Sequence, residues 1–358
     1  MLIVDAHEDI AWNILTFGRD YTRSASWIRM QERETPVPSY NGNTLLGREE
    51  WLAGRVGVIF ATLFVSPARR KLGEWDTQTY KDSREAYRLA HLQLDAYRRL
   101  ADICPQFRLI GTQNDLKEVL DSWFSPPTAT ADPYIGLVPL MEGADPIPKP
   151  KMVEEWYEQG VRIVGLAWEE TAYAGGTHEP GPLKRAGIQL IEIMADLGLI
   201  LDLSHLAEEA YYQALDRYEG TIVVTHANPR RFLPTSRGLS DEMIIRLAER
   251  GGVIGVVPYN AFLKPGWHKG DPKSAVHLAD VADVIDHICQ LTGDAMHVGI
   301  GSDFDGGFGV EHVPAEIDTV ADLKKLGSIL EERGYTTEQV SNILGGNWLR
   351  LLTNSLPG

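Results

Sequence analysis

Cysteine is almost absent from this chain: Cys104 and Cys289 are the only two in 358 residues. Two thiols cannot build a disulfide framework, and no CxxC spacing offers a thiolate metal site. Each is expected to serve as a small buried hydrophobe. Long apolar runs are also lacking, since no window approaches the roughly 18 unbroken apolar residues of a membrane-spanning helix. The N-terminal MLIVDAH has no basic stretch ahead of an apolar one, and the C-terminal LLTNSLPG has no hydrophobic tail. A cytoplasmic protein is the default reading. Positive charge is in deficit: 34 Lys and Arg stand against 50 Asp and Glu, a net charge of −16. That balance argues against nucleic acid or an anionic membrane as the main partner. Internal repeats, low-complexity tracts and linkers are missing too, so one domain over residues 1–358 is expected.

What the chain does have is a rhythm. Short apolar runs at residues 2–6, 56–65, 135–141, 161–167, 199–203, 221–225, 252–257 and 297–301 read as strands. Their near-continuous Val, Ile, Leu and Gly suits parallel strands covered on both faces. Helical patterns lie between them at 82–103, 183–197, 208–218, 241–250 and 278–291. Eight strands with helices between most of them predict an α/β fold, the (β/α)8 TIM barrel. A doubly wound open sheet is the structural alternative. A further short strand is expected near residues 107–111. Residues 13–54 and the Gly/Pro-rich run 174–182 break the rhythm. In a barrel both follow a strand, so both would overhang the C-terminal face where substrates bind.

The residues that close each strand carry the chemistry. The first strand ends in Asp5-Ala6-His7-Glu8-Asp9 and the third in Met141-Glu142-Gly143. The fifth ends in Asp202-Leu203-Ser204-His205, the sixth in Thr225-His226-Ala227-Asn228, and the eighth in Gly301-Ser302-Asp303-Phe304-Asp305-Gly306. Parallel barrel strands share one rim, so these side chains would converge there. Neutral imidazole and carboxylate are the ligands of zinc and similar divalent ions. In an extended backbone, His7 and Asp9 lie on the same side. The set exceeds what one tetrahedral ion needs, which favours two metals, and either a glutamate or a hydroxide can bridge such a pair. A single histidine at a strand end is more often a hydrogen-bonded rim residue, and Asp5 reads as a structural carboxylate. The three histidines that directly follow apolar strands, beside acidic residues, outweigh that reading together.

These stretches, with residues 248–255 (AERGGVIG) and 343–348 (ILGGNW), resemble the membrane (renal) dipeptidase family of zinc metallopeptidases, within the metal-dependent amidohydrolase group. The likeness runs in order along nearly the whole chain. It implies a (β/α)8 barrel holding two zinc ions, with His7 and Asp9 on one, His205 and His226 on the other, and Glu142 bridging them. It further implies that Asp303 moves the proton of the attacking water. Arg237, eleven residues after His226, would hold the substrate carboxylate through its planar fork. Without the resemblance Arg237 reads as a solvated loop charge. Trp168 and Tyr259 complete the expected substrate contacts. The implied reaction is hydrolysis of a dipeptide or similar small N-acyl amino acid by metal-hydroxide attack, and family members are commonly dimers.

One departure stands out. Where the family usually places a Thr-His pair, whose histidine contacts the scissile carbonyl, this chain reads Gly165-Leu166-Ala167-Trp168-Glu169-Glu170. An indole donates a hydrogen bond but does not titrate, and it fills far more space. Dipeptide specificity is therefore in question, with His178 as a substitute that could swing in. The alternatives are a metal-dependent hydrolase of a non-peptide amide, cyclic amide or lactone, and a metal-binding barrel weakened in catalysis. Retention of Asp303 speaks against the last.

Overall fold

The computed structural model describes residues 1–124 and 132–358. Eight parallel strands run round a nearly closed barrel: β1 (Ile3–Glu8), β2 (Val56–Phe64), β3 (Ile135–Glu142), β4 (Ile163–Gly165), β5 (Ile200–Asp202), β6 (Ile222–Val223), β7 (Ile254–Val256) and β8 (Val298–Ile300). Their hydrogen-bonded order is β7-β8-β1-β2-β3-β4-β5-β6, which is chain order with a shifted start. The remaining seam is closed by a parallel bridge from Val224 to Ile254. Across it the Val224 amide donates to the Val253 carbonyl at 3.0 Å, and the Gly255 amide to the Val224 carbonyl at 2.8 Å. This closing bridge decides for the barrel over the open sheet. A Cβ on Gly255 or Gly301 would lie 1.8 Å from the Thr225 carbonyl oxygen, so only glycine lets the strands meet here.

Alternate strand residues divide between two apolar clusters. Val4, Phe60, Leu140, Ile163, Ile200, Val223 and Val253, drawn from round the ring, pack with one another and with Trp348, Leu351 and Leu352. Those last three belong to the C-terminal helix Asn347–Ser355, which closes the floor of the barrel. Ile59, Met141, Val164, Leu201, Ile222 and Ile254 instead join the larger cluster shared with the surrounding helices. Burial of both faces is why the strands read as continuous apolar runs.

Helices Ser83–Ile103, Arg185–Asp196, Glu208–Arg217, Asp241–Glu249 and Leu278–Thr292 fall within two residues of expectation at each end. The additional strand Phe107–Leu109 also forms, pairing with Ile135 to Leu137 at the start of β3. Residues 13–54 hold more order than a loop would: helices Ile10–Phe17, Ala25–Glu32, Val37–Asn41 and Arg48–Gly54 occupy that region. A two-stranded piece that sequence reasoning missed, Ser66–Pro67 with Thr79–Tyr80, follows β2. Cys104 is buried as expected, whereas Cys289 is only half-buried. No helix among the described residues is long and apolar enough to cross a membrane.

Candidate metal centre

The residues closing β1, β3, β5, β6 and β8 meet at the barrel mouth. His205 Nε2 lies 3.1 Å from Glu142 Oε1, and His226 Nε2 lies 3.4 Å from the same oxygen. His7 Nε2 is 3.5 Å from Glu142 Oε2 and 3.8 Å from Asp9 Oδ2. Two groups able to hold a cation therefore overlap: His7, Asp9 and Glu142, and Glu142, His205 and His226, each with its ligand atoms within 4.8 Å of one another. A third such group joins His7, His226 and Asp303.

Local irregularities aim these side chains. In β1 the pairing with β2 slips between Asp5↔Ile59 and Glu8↔Ala61, three residues advancing against two. Such a bulge re-aims a side chain. Glu8 consequently turns to accept from the Trp51 indole at 3.0 Å, while its neighbour His7 joins Glu142 in the mouth. His205 and Asp303 have φ of 63° and 59°, a left-handed conformation that non-glycine residues adopt at a cost and that clusters at functional sites. Gly306 packs against the result, since a Cβ there would meet Asp303 Oδ1 at 2.3 Å and Asp9 Oδ2 at 2.7 Å.

The hydrogen bonds around the histidines test whether the site suits a cation. Thr225 Oγ1 donates to Asp202 Oδ2 at 2.6 Å, so it accepts from His226 Nδ1, 3.0 Å away. Thr177 Oγ1 lies 2.8 Å from His205 Nδ1 and 3.3 Å from the His205 carbonyl, so it holds that ring from its outer nitrogen. The His226 ring thus carries its proton on Nδ1 and turns a bare Nε2 inward, 3.0 Å from His205 Nε2. Both ring nitrogens of His7 and Oδ1 of Asp9 are buried without a hydrogen-bond partner. The donor set, two imidazoles and a carboxylate turned to one point, fits divalent metal. Asp202, Thr225 and Thr177 were not foreseen as part of the site. Their signal was faint, a polar residue beside each expected ligand or in the overhanging loop.

Electrostatics agree. Burial works against a charged His7, yet the Glu142 and Asp9 carboxylates overcome it and hold the imidazole at about 10. Burial and Arg237 push His205 down to about 4. Burial raises Asp303 to about 7, with His7 opposing and Glu142 adding to the rise. The proton held by His7 is the positive charge that crowded carboxylates demand, and a divalent ion would supply that charge in its place.

A cleft of about 680 Å³ opens over the cluster, lined among others by Asp9, Glu142, His205, Asp303, Trp168 and Trp12. Trp168 stands in its wall, edge-on to Phe64 at 5.2 Å and 6.2 Å from the His205 ring. It is not core. Arg237, against its reading as a solvated charge, is buried beside the centre, donating from Nη2 to the His226 carbonyl with Nε unpartnered. Neither Arg237 nor Tyr259 lines the cleft itself. Tyr259 is half-buried and stacks on Phe308 at 4.5 Å, near enough to Asp303 that burial and that carboxylate raise its pKa. His178 does not reach inward: Glu169 holds its Nδ1 at 2.7 Å and its side chain is 64% exposed. Asp5 is structural, accepting from the Ser302 amide at 2.7 Å and tying β1 to the turn after β8.

A parallel barrel whose mouth joins imidazoles and carboxylates in overlapping ligand groups is the architecture of a metal-dependent hydrolase. The family model for membrane dipeptidase (peptidase family M19) matches residues 1–355. An uncharacterised protein in the pqqA 5′ region of Klebsiella pneumoniae is 32% identical over 62% of this chain and 83% of its own length. Dipeptidase aclJ of Aspergillus oryzae is 28% identical over 84% of this chain and 67% of its own. A metallo peptidase from Rhodobacter sphaeroides, solved with a phosphinate mimic of the dipeptide L-Ala-D-Ala, shares the fold with a TM-score of 0.79 over 99% of both chains, at 20% identity. The chain belongs to the membrane dipeptidase family and is a metallo-dipeptidase hydrolase.

Proposed function

We propose that this chain hydrolyses dipeptides or similar small N-acyl amino acids with two zinc ions, one held by His7 and Asp9, the other by His205 and His226, and both by Glu142. The observation that carries this reading is the sharing of Glu142 between two ligand groups, with Nε2 of His205 and of His226 turned to the same Glu142 oxygen. When bound, such a metal pair acidifies a water and polarises a carbonyl. The chain's own residues do the rest. Asp303, half-buried beside His7 and His226, is placed to take a proton and return it to the leaving amine. Arg237, buried beside the centre and outside the cleft lining, is the assigned partner of the substrate carboxylate through the guanidinium donors not given to His226. Trp168 and Phe64 form an apolar wall along the cleft, and Tyr259 flanks Asp303.

The second reading, hydrolysis of a non-peptide amide, cyclic amide or lactone, is favoured by Trp168 alone, because an indole in the cleft wall adds bulk where the family usually has a donor. A panel of dipeptides, N-acyl amino acids, cyclic amides and lactones assayed with the zinc-loaded protein separates the two. Turnover confined to the cyclic and non-peptide compounds would transfer the assignment to the second reading. Metal analysis that finds no divalent ion after zinc loading would sink both.

A further inference from the structure

Asp305 and Arg19 form a buried unit that the proposed reaction does not use directly. The Arg19 side chain is wholly buried, and every one of its nitrogens has an acceptor. Nε and Nη2 donate to Glu32 at 2.8 and 3.1 Å, and Nη2 also to the Gly42 carbonyl at 2.9 Å. Nη1 reaches Asn13 Oδ1 at 3.1 Å and Asp305 Oδ2 at 2.9 Å. The Asp305 carboxylate also accepts from Tyr21 Oη at 2.6 Å, Thr44 Oγ1 at 2.5 Å and the Leu45 amide at 2.9 Å. With those donors and no place in the cleft lining, it is an anchor and not part of the reacting set.

The decisive contacts are those of Asn13. Its amide nitrogen donates both to the Asp9 carbonyl at 2.8 Å and to the Asp305 carbonyl at 2.9 Å. Asn41 donates to the same Asp305 carbonyl at 3.0 Å and to Asn13 Oδ1 at 2.8 Å. One carboxamide therefore spans the backbone at Asp9 and the backbone two residues beyond Asp303. The Asp303 backbone itself is left-handed, so it depends on its surroundings to stay in place.

We propose that Asn13, seated by Arg19 and Asp305, is a positioning residue that sets the spacing between Asp9 and Asp303. The inference rests on the assignment of Asp9 as a metal ligand and Asp303 as the proton carrier. The helical excursion after β1 is then a scaffold for the centre. A misplacement of about 1 Å at reacting groups is enough to slow turnover about 100-fold.

The test compares wild type, Asn13→Ala and Thr44→Val by zinc calorimetry, thermal unfolding and steady-state kinetics on a dipeptide that the wild type cleaves. Asn13→Ala is expected to weaken one of the two zinc ions about 10-fold or more, leave the other unchanged, and lower kcat about 10-fold with KM nearly constant. Thr44→Val, which removes one donor to Asp305, is expected to shift the same quantities in the same direction by roughly 3-fold. Should Asn13→Ala fail to fold, Thr44→Val alone decides. Folded variants with wild-type zinc binding and kcat would overturn the proposal, as would equal weakening of both ions with a lowered melting temperature, the mark of a merely structural role. Wild-type protein that binds no zinc would instead remove the assignment beneath it.

Discussion

Trp168 is where residue chemistry bears most on substrate choice. It faces the cleft beside His205 and Phe64, so its bulk acts at the site and not in packing. A hydrogen-bond donor to an oxyanion is worth ~3–4 kcal/mol when deleted elsewhere. Weak activity on ordinary dipeptides is expected, with Trp168→His raising kcat/KM on at least some members of a dipeptide panel. A uniform loss across the panel would show that the substrate stacks on the indole. Asp303→Asn removes the titrating oxygen and keeps the shape. Turnover should fall roughly 10²–10⁴-fold with zinc content and fold retained, and unchanged turnover would mean another group moves the proton. Thr177→Val removes the hydroxyl partner of His205 Nδ1. Zinc affinity, measured by competition with a chelator, should drop about 10–100-fold, the usual effect of losing such a partner.

At the scale of elements, two loops meet over the cleft. The segment between Ser66–Pro67 and Thr79–Tyr80 carries Arg69 and Arg70, which reach the Gly-rich loop after β4: Arg69 to Glu179 at 2.5 Å, Arg70 to Glu169 at 3.3 Å. Exposed ion pairs of this kind add little stability. Glu169 is 2% exposed, however, and it binds both Arg70 and His178, so it pins the loop that delivers Thr177 to His205. Glu169→Gln should therefore raise KM for a dipeptide while leaving the melting temperature nearly unchanged, and a variant with unaltered KM would show that the pin has no bearing on the cleft. Sequence pattern foresaw that residues 174–182 overhang the mouth. The short paired strands at Ser66–Pro67 and Thr79–Tyr80 escaped it, because two-residue strands carry no period to read.

For the whole molecule, metal and proton compete for one cavity. The metal-free fold holds a proton on His7 at about 10, above the ordinary 6.5. A raised histidine pKa stabilises the fold below pH 6.5, and the contribution is lost as pH climbs through about 10. Chelated protein should accordingly melt at falling temperatures from pH 6.5 upward, an effect the zinc-loaded protein should lack. Zinc binding at pH 7 should also expel protons, visible as a dependence of the calorimetric heat on the ionisation enthalpy of the buffer. Heats independent of the buffer would refute the protonated state of His7.

By itself the order of residues determined the barrel and the five strand ends that meet at its mouth. Both follow from local pattern: apolar runs set the strands, their count sets the closure, and parallel strands place their C-terminal residues on one rim. His7, Glu142, His205 and His226 were legible because each directly follows such a run. Only the tertiary structure decided how those residues are aimed and supported. A slip in the β1 register turns His7 inward and Glu8 outward, which no period-two reading of the strand shows. Arg237 is a buried cation and not a loop charge, and Asp305 is a locked anchor 286 residues from its Arg19 partner. These depend on contacts between distant segments, where burial removes water and leaves only other parts of the chain to satisfy each charge.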